Sequence, residues 1–267
     1  MQDLKVTVIQ SELVWENASE NIANFDKRID SITEPTDLII LPEMFNTGFS
    51  INPKKCAEDI NGETVKWLEE KARSMNCVIT GSVLINDRRK FYNRLFWMPP
   101  DGKSMTYDKR HLFRMSEEYK IFSQGMDKII CSLKGWKILP LICYDLRFPV
   151  WSKNSIINGS YEYDIILTVA NWPEVRTSVW KSLLVARAID NQVYSIGVNR
   201  IGNDGHGTSH SGDSMIVDPK GQILYSLEPH KEMILSFTLS FNDLVSFRKK
   251  FPVGLDWDHF NIIKSRV

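Results

Sequence analysis

Residues 37–43, Asp37-Leu38-Ile39-Ile40-Leu41-Pro42-Glu43, decide the fold class. Four consecutive apolar side chains between an aspartate and a proline are too few for a helix, and they do not alternate with polar residues. Such a run is a short strand covered on both faces, as in the middle of a parallel sheet with helices outside it. Upstream, Leu4 to Gln10 alternates as a first strand. Asn17 and Glu20 then form an N-cap pair ahead of Ile22, Phe25, Ile29 and Ile32 at helical spacing, and Glu34-Pro35-Thr36 ends that helix.

Downstream the alternation continues. Thr64 to Met75 reads as helix, Cys77 to Leu84 and Phe91 to Met98 as strands, with Asp101-Gly102 turning into Lys103 to Tyr107. Further strands are expected over Lys137 to Ile142, Asp164 to Ala170 and Val193 to Asn199, with one long helix over Glu174 to Asn191. Met215 to Val217 and Ile223 to Tyr225 read as a hairpin, followed by a strand over Met233 to Thr238 and a helix near Asp243 to Lys249. Hairpins among the helix–strand alternation point to an α/β architecture with a mixed sheet or two sheets, not a purely parallel wound sheet. No linker or internal repeat interrupts residues 1–267, which read as one domain. Phe251 to Val267, with Trp257 and Phe260 among charges, reads as a docked tail that could lie on another subunit.

Composition excludes other classes. Thirty-three basic residues balance 33 acidic ones, which removes the usual electrostatic reason to expect nucleic acid or an anionic membrane as partner. Arg88-Arg89-Lys90 reads as a solvated turn. No apolar run approaches the ~18 residues of a membrane span, and no basic leader precedes an apolar stretch. Four cysteines, none in a C-x-x-C spacing, fit reduced thiols in a cytoplasm. His206 and His210 lie in the glycine-rich stretch 202–212, which reads as a loop, so a zinc site is not expected. No phosphate-binding glycine motif occurs.

Three residues stand at strand ends, where a rigid scaffold presents chemistry. Glu43 follows the apolar run, Lys109 follows the strand ending near Tyr107, and Cys143 follows Ile138 to Ile142. Singly, each has an ordinary reading as a cap, a solvated lysine or a buried thiol. Together they are a base, a cation and a nucleophile, the set needed for acyl transfer through a thiol.

The flanking residues carry a family resemblance. Leu41-Pro42-Glu43-Met44-Phe45, Asp108-Lys109-Arg110-His111-Leu112-Phe113 and Ile142-Cys143-Tyr144-Asp145-Leu146-Arg147-Phe148-Pro149 resemble, in order, the Glu, Lys and Cys motifs of the nitrilase superfamily. The likeness extends through Val169-Ala170-Asn171-Trp172-Pro173, Ala186 to Gln192 and Gly212-Asp213-Ser214, and Cys-Tyr-Asp-Leu-Arg-Phe-Pro with Ala-Asn-Trp-Pro is most similar to the bacterial omega-amidases. The resemblance implies a four-layer αββα sandwich with mixed sheets, commonly paired into a homodimer or higher homo-oligomer. It implies hydrolysis of the terminal amide of 2-oxoglutaramate or 2-oxosuccinamate, with neither cofactor nor metal.

In that reading Cys143 is the nucleophile and Glu43 the acid–base group, while Lys109 and the Tyr144 N–H hold the oxyanion. Glu118 (or its neighbour Glu117) matches the family's second glutamate, ahead of Gly125. Arg147 is a candidate partner for the substrate carboxylate, because its planar fork donates two parallel hydrogen bonds, or else a structural ion pair. Trp172 and Phe49 would wall the pocket. Two rivals remain open at this point: an amidase of the same superfamily acting on N-carbamoyl compounds or other small amides, and a catalytically silent interaction scaffold.

Overall fold

The computed structural model describes residues 2–262. Two mixed sheets face one another. The seven-stranded sheet runs in the order Met233–Leu239, Leu4–Gln10, Leu38–Ile40, Val78–Asp87, Lys90–Met98, Met105–Asp108, with Glu58–Asp59 added beside Val78–Asp87. The six-stranded sheet runs Ile223–Ser226, Met215–Val217, Tyr194–Asn199, Ile165–Ala170, Trp136–Ile142, Cys131–Leu133. Each has three parallel central strands with antiparallel strands outside them.

The run 38–41 shows how the layers arise. Successive side chains of a strand point to opposite faces. Leu38 and Ile40 join Val6, Val8, Ile138, Val169 and Ile196 in the core between the sheets. Ile39 and Leu41 turn outward onto Phe25, Ile29, Leu68 and Ala72, the apolar faces of helices Ala18–Asp30 and Glu63–Met75. On the far side Trp180, Leu184 and Ala188 of helix Thr177–Asn191 cover Ala170, Met215 and Val217. All four residues of the run are fully buried, and each such side chain contributes about 1.5–3 kcal/mol through removal from water. The result is the expected αββα sandwich.

Local chemistry sets the element ends. Asn17 Oδ1 accepts from the Glu20 N–H at 3.2 Å, while its Nδ2 donates to Glu20 Oε2 at 2.8 Å. Arg88 and Arg89 take the left-handed conformation of a two-residue hairpin turn. Lys134-Gly135, also left-handed, folds Cys131–Leu133 back onto Trp136–Ile142, a short strand that the periodicity did not show.

Two expectations need correction. Glu174 to Asn191 is not one helix: a 3-10 turn, Glu174–Arg176, precedes Thr177–Asn191, because Arg176 leaves the helical region at φ −119°. The glycine-rich stretch is not a plain loop. Ile201–Asn203 pairs antiparallel with Ser209–Ser211, its turn closed by Asp204 Oδ1 accepting from the N–H groups of His206 and Thr208. Of the terminal segment, Phe251 O accepts from Gln192 Nε2 at 2.7 Å and Trp257 meets Tyr161 edge-on; its last residues, 263–267, lie outside the described residues.

Candidate active site

Sheet direction brings the three strand-end residues together. Leu38–Ile40 and Met105–Asp108 point the same way, so Glu43 and Lys109 leave the same end of the seven-stranded sheet. Trp136–Ile142 runs parallel to Ile165–Ala170, so Cys143 and Asn171 leave the same end of the other sheet. The two ends meet at one cavity of about 270 Å³ lined by Glu43, Lys109, Cys143 and Asn171, with Phe49, Tyr144, Arg147 and Trp172 also in its wall.

Glu43 is fully buried and held on every side. Its Oε1 accepts from Asn93 Nδ2 at 2.8 Å and Lys109 Nζ at 2.9 Å, and its Oε2 accepts from the Asn171 N–H at 2.8 Å. Asn171 also donates through Nδ2 to the Glu43 carbonyl at 2.5 Å. Lys109 Nζ donates to Glu118 Oε1 at 3.0 Å and Oε2 at 3.1 Å, and stands 4.9 Å from the centre of the Phe49 ring. The structure thus brings Glu118 to the lysine and leaves Glu117 outside, where its exposed side chain pairs with Lys120.

The charges act on one another at close range in a buried site. Burial alone would lower the Lys109 ammonium, but Glu118 and Glu43 outweigh it and the group is raised above its usual value. Burial raises the Glu118 carboxyl against the opposing pull of Lys109. The Cys143 thiol is pushed well up, first by burial and then by the Glu43 carboxylate, against Lys109 and the Asn171 N–H. Burial and the Glu43 carboxylate thus both favour the protonated form of the Cys143 thiol.

Cys143 sits on a tight strand-to-helix bend. Its φ is +43°, and a 3-10 turn runs Cys143–Arg147, a backbone region in which a non-glycine residue must be held by its surroundings. Asp145 does the holding. Fully buried, it accepts from the Tyr107 hydroxyl at 2.8 Å, the Ile142 N–H at 3.2 Å, the His111 N–H at 2.9 Å and His111 Nδ1 at 2.7 Å. The carboxylate thereby ties the Cys143 bend to the segment that carries Lys109. The His111 ring stacks on Phe148 at 3.7 Å.

Arg147 stands over Trp172 at 4.8 Å and forms no ion pair among the described residues. Trp172 is fixed by Asn199 Oδ1 on its N–H and by donating Nε1 to the Arg176 carbonyl. Asn93, Asp145, Tyr107, Arg176 and the 201–211 hairpin escaped the sequence reading, although Asp145 and Asn171 lay inside segments singled out there. For Asn93, Asp145 and Tyr107 the signal is burial of a polar group, which a single sequence does not show.

With fold and geometry in hand, comparison with known proteins is direct. The family model for carbon-nitrogen hydrolases matches residues 5–249, and the chain belongs to that family. It is 42% identical to Omega-amidase YafV of Escherichia coli strain K12 over 98% of this chain and 100% of that one. It is 29% identical to the 2-oxoglutaramate amidase of Bacillus subtilis strain 168, over 93% and 95% of the two chains. Among solved structures it resembles XC1258 from Xanthomonas campestris, a CN-hydrolase superfamily protein with an arsenic adduct in its active site, at a TM-score of 0.96, 38% identity and 98% and 100% coverage. The chain is a carbon–nitrogen hydrolase of the nitrilase superfamily, an enzyme of amide hydrolysis. Among the described residues no helix is long and apolar enough to cross a membrane.

Proposed function

We propose that the protein hydrolyses the terminal amide of small omega-amido 2-oxo acids, 2-oxoglutaramate and 2-oxosuccinamate, through a thioester on Cys143. The observation that carries the reading is the fixing of one carboxylate, Glu43, by Asn93, Lys109 and Asn171 beside a thiol that burial keeps protonated. The substrate class is supported by the 42% identity to an omega-amidase over almost the whole chain.

Cys143 gives its proton to Glu43 as Sγ bonds to the amide carbon. Proton transfer removes the carboxylate charge that opposes the thiolate and leaves the Lys109 charge that favours it. Negative charge moves to the amide oxygen, which Lys109 Nζ and the Tyr144 N–H receive; one such donor typically supplies about 3 kcal/mol at the transition state. As the carbon–nitrogen bond breaks, Glu43 protonates the nitrogen and ammonia leaves. Water then gives a proton to Glu43 and adds to the thioester carbon, and the carbon–sulfur bond breaks as the proton returns to Sγ. Glu118 keeps Lys109 charged and aimed throughout. Arg147 takes the substrate carboxylate, with Trp172 and Phe49 as walls.

In the same reading residues 1–267 act as one catalytic domain with the segment from 251 docked on it, in a cytoplasmic homodimer or higher homo-oligomer. Self-association is supported by the edge strand Ile223–Ser226, all of whose residues are exposed. The test is ammonia release from 2-oxoglutaramate by the purified protein with Cys143→Ala beside it. Release by the wild type alone is the expected result, and no release by the wild type would overturn the substrate assignment.

A further inference from the structure

The pocket is electrically lopsided. Its fully buried floor holds the Glu43 carboxylate and the Lys109 ammonium, with a second buried carboxylate, Glu118, behind the lysine. Its half-buried walls carry two guanidiniums, Arg147 and Arg176. Arg147 lies 4.8 Å from the Trp172 ring centre and Arg176 lies 5.6 Å from that of Phe113. Among the described residues neither guanidinium donates a hydrogen bond or enters an ion pair. Asp204, which also lines the cavity, spends its Oδ1 on the N–H groups of its own turn. His210 brings no further charge at neutral pH, since burial and then Arg200 lower it to about 4.

Both arginines owe their place to breaks in regular structure. Arg147 ends the 3-10 turn that starts at the nucleophile, and Arg176 ends the 3-10 turn Glu174–Arg176 and stands at the N-cap of the helix Thr177–Asn191. The ring beneath Arg176 is coupled to the chemistry: Phe113 meets Tyr144, next to the nucleophile, edge-on at 5.1 Å, and its N–H donates to Glu118 Oε2 at 2.5 Å.

We infer that Arg176 joins Arg147 in a two-arginine clamp on the anionic end of the substrate, and that Arg176 sets the pocket's preference for omega-amido carboxylic acids over neutral amides. This rests on the amidase reading above. A guanidinium flat on an aromatic ring keeps its N–H edge free for an in-plane carboxylate or keto oxygen. The polarity also fixes which way the substrate enters: its carboxylate is repelled by Glu43 and Glu118 and held at the walls, so the neutral amide is the end that reaches Cys143.

The experiment compares 2-oxoglutaramate with pentanamide, a neutral amide of similar length, in wild type, Arg176→Ala, Arg176→Lys and Arg147→Ala. The ratio of kcat/KM for the two substrates is expected to fall about 10- to 100-fold in Arg176→Ala, through KM, as for loss of a hydrogen-bonded charge partner. Arg176→Lys, which keeps the charge and loses the fork, should recover part of it. A second readout needs no turnover: protection of Cys143 from iodoacetamide by 2-oxoglutarate should require correspondingly more of the dianion in Arg176→Ala. An unchanged ratio with unchanged protection in Arg176→Ala overturns the clamp, and so does an equal loss on both substrates. If the wild type cleaves pentanamide but neither cleaves 2-oxoglutaramate nor is protected by 2-oxoglutarate, the substrate reading falls and the clamp with it. Cleavage of 2-oxoglutaramate with the same KM in Arg176→Ala removes the clamp alone.

Discussion

Lys109 Nζ lies 2.9 Å from Glu43 Oε1, with the lysine 1% and the glutamate 0% exposed. A buried ion pair of this kind is weak evidence for stability, but breaking it from one side leaves charge without a partner. Lys109→Met should therefore cost about 3–5 kcal/mol at pH 8. Burial already raises the Glu118 carboxyl and Lys109 is the largest opposing influence, so its removal raises that group further. The folded variant then binds more protons than the unfolded chain, and its stability falls as pH rises. Urea midpoints at pH 5 and pH 8 check this: the deficit against wild type should be the larger at pH 8.

Glu43→Gln separates thiol ionisation from catalysis. The Glu43 charge is, after burial, the main influence holding the Cys143 thiol up. The neutral amide should let Cys143 ionise at lower pH than in the wild type, while hydrolysis falls about 10²- to 10⁴-fold for want of the base. Thiolate absorbance and iodoacetamide rates across pH, set beside kcat, report both. Cys77 and Cys131, each raised to about 12 chiefly by burial, stay silent in that range.

Asp145 accepts four donors from three residues. Asp145→Ala strands them in the core, a loss of about 3 kcal/mol. It also frees the bend that presents Cys143, for which a fall in kcat on the order of 10²-fold is expected. Asp145→Asn keeps an acceptor and should restore much of the stability. Thermal unfolding with separate kcat and KM values distinguishes loss of fold from loss of aim.

Gly125 donates its N–H to the Lys109 carbonyl at 2.9 Å, and a Cβ built there would lie 2.0 Å from the Asp108 carbonyl oxygen. Backbone cannot yield as a flexible side chain does. Gly125→Ala should push the 123–126 segment off the lysine's strand, lowering stability by about 1–3 kcal/mol and kcat with it, which thermal unfolding and steady-state kinetics check.

The sequence exposed most of the frame because buried strands announce themselves. Leu38 to Leu41 is apolar on both faces, and the helices ahead of and after it carry caps and regular spacing. Glu43 and Cys143 were legible for the same reason, each closing such a strand, whereas Lys109 follows the partly exposed edge strand Met105–Asp108 and was legible through the motif around it. What stayed hidden depends on partners far along the chain. Nothing local to Asn93 tells that its amide holds Glu43, and nothing local to Asp145 tells that Tyr107 and His111 converge on it. Arg176 was absorbed into a helix that the periodicity drew one turn too long. Glycines between residues 202 and 212 read as loop because their turn geometry, not their pairing, dominates composition.

Glu43 and Lys109 hang from one sheet, Cys143 and Asn171 from the other, and only the packing of the two across their common core brings the carboxylate and the thiol together. Catalysis is consequently an assay of how the two sheets are packed. A collapsed species with both sheets formed but slightly out of alignment would keep its far-ultraviolet circular dichroism and turn over nothing. During refolding from urea, regained amide hydrolysis should therefore lag regained secondary structure, and the interval between them times the locking of one half of the molecule onto the other.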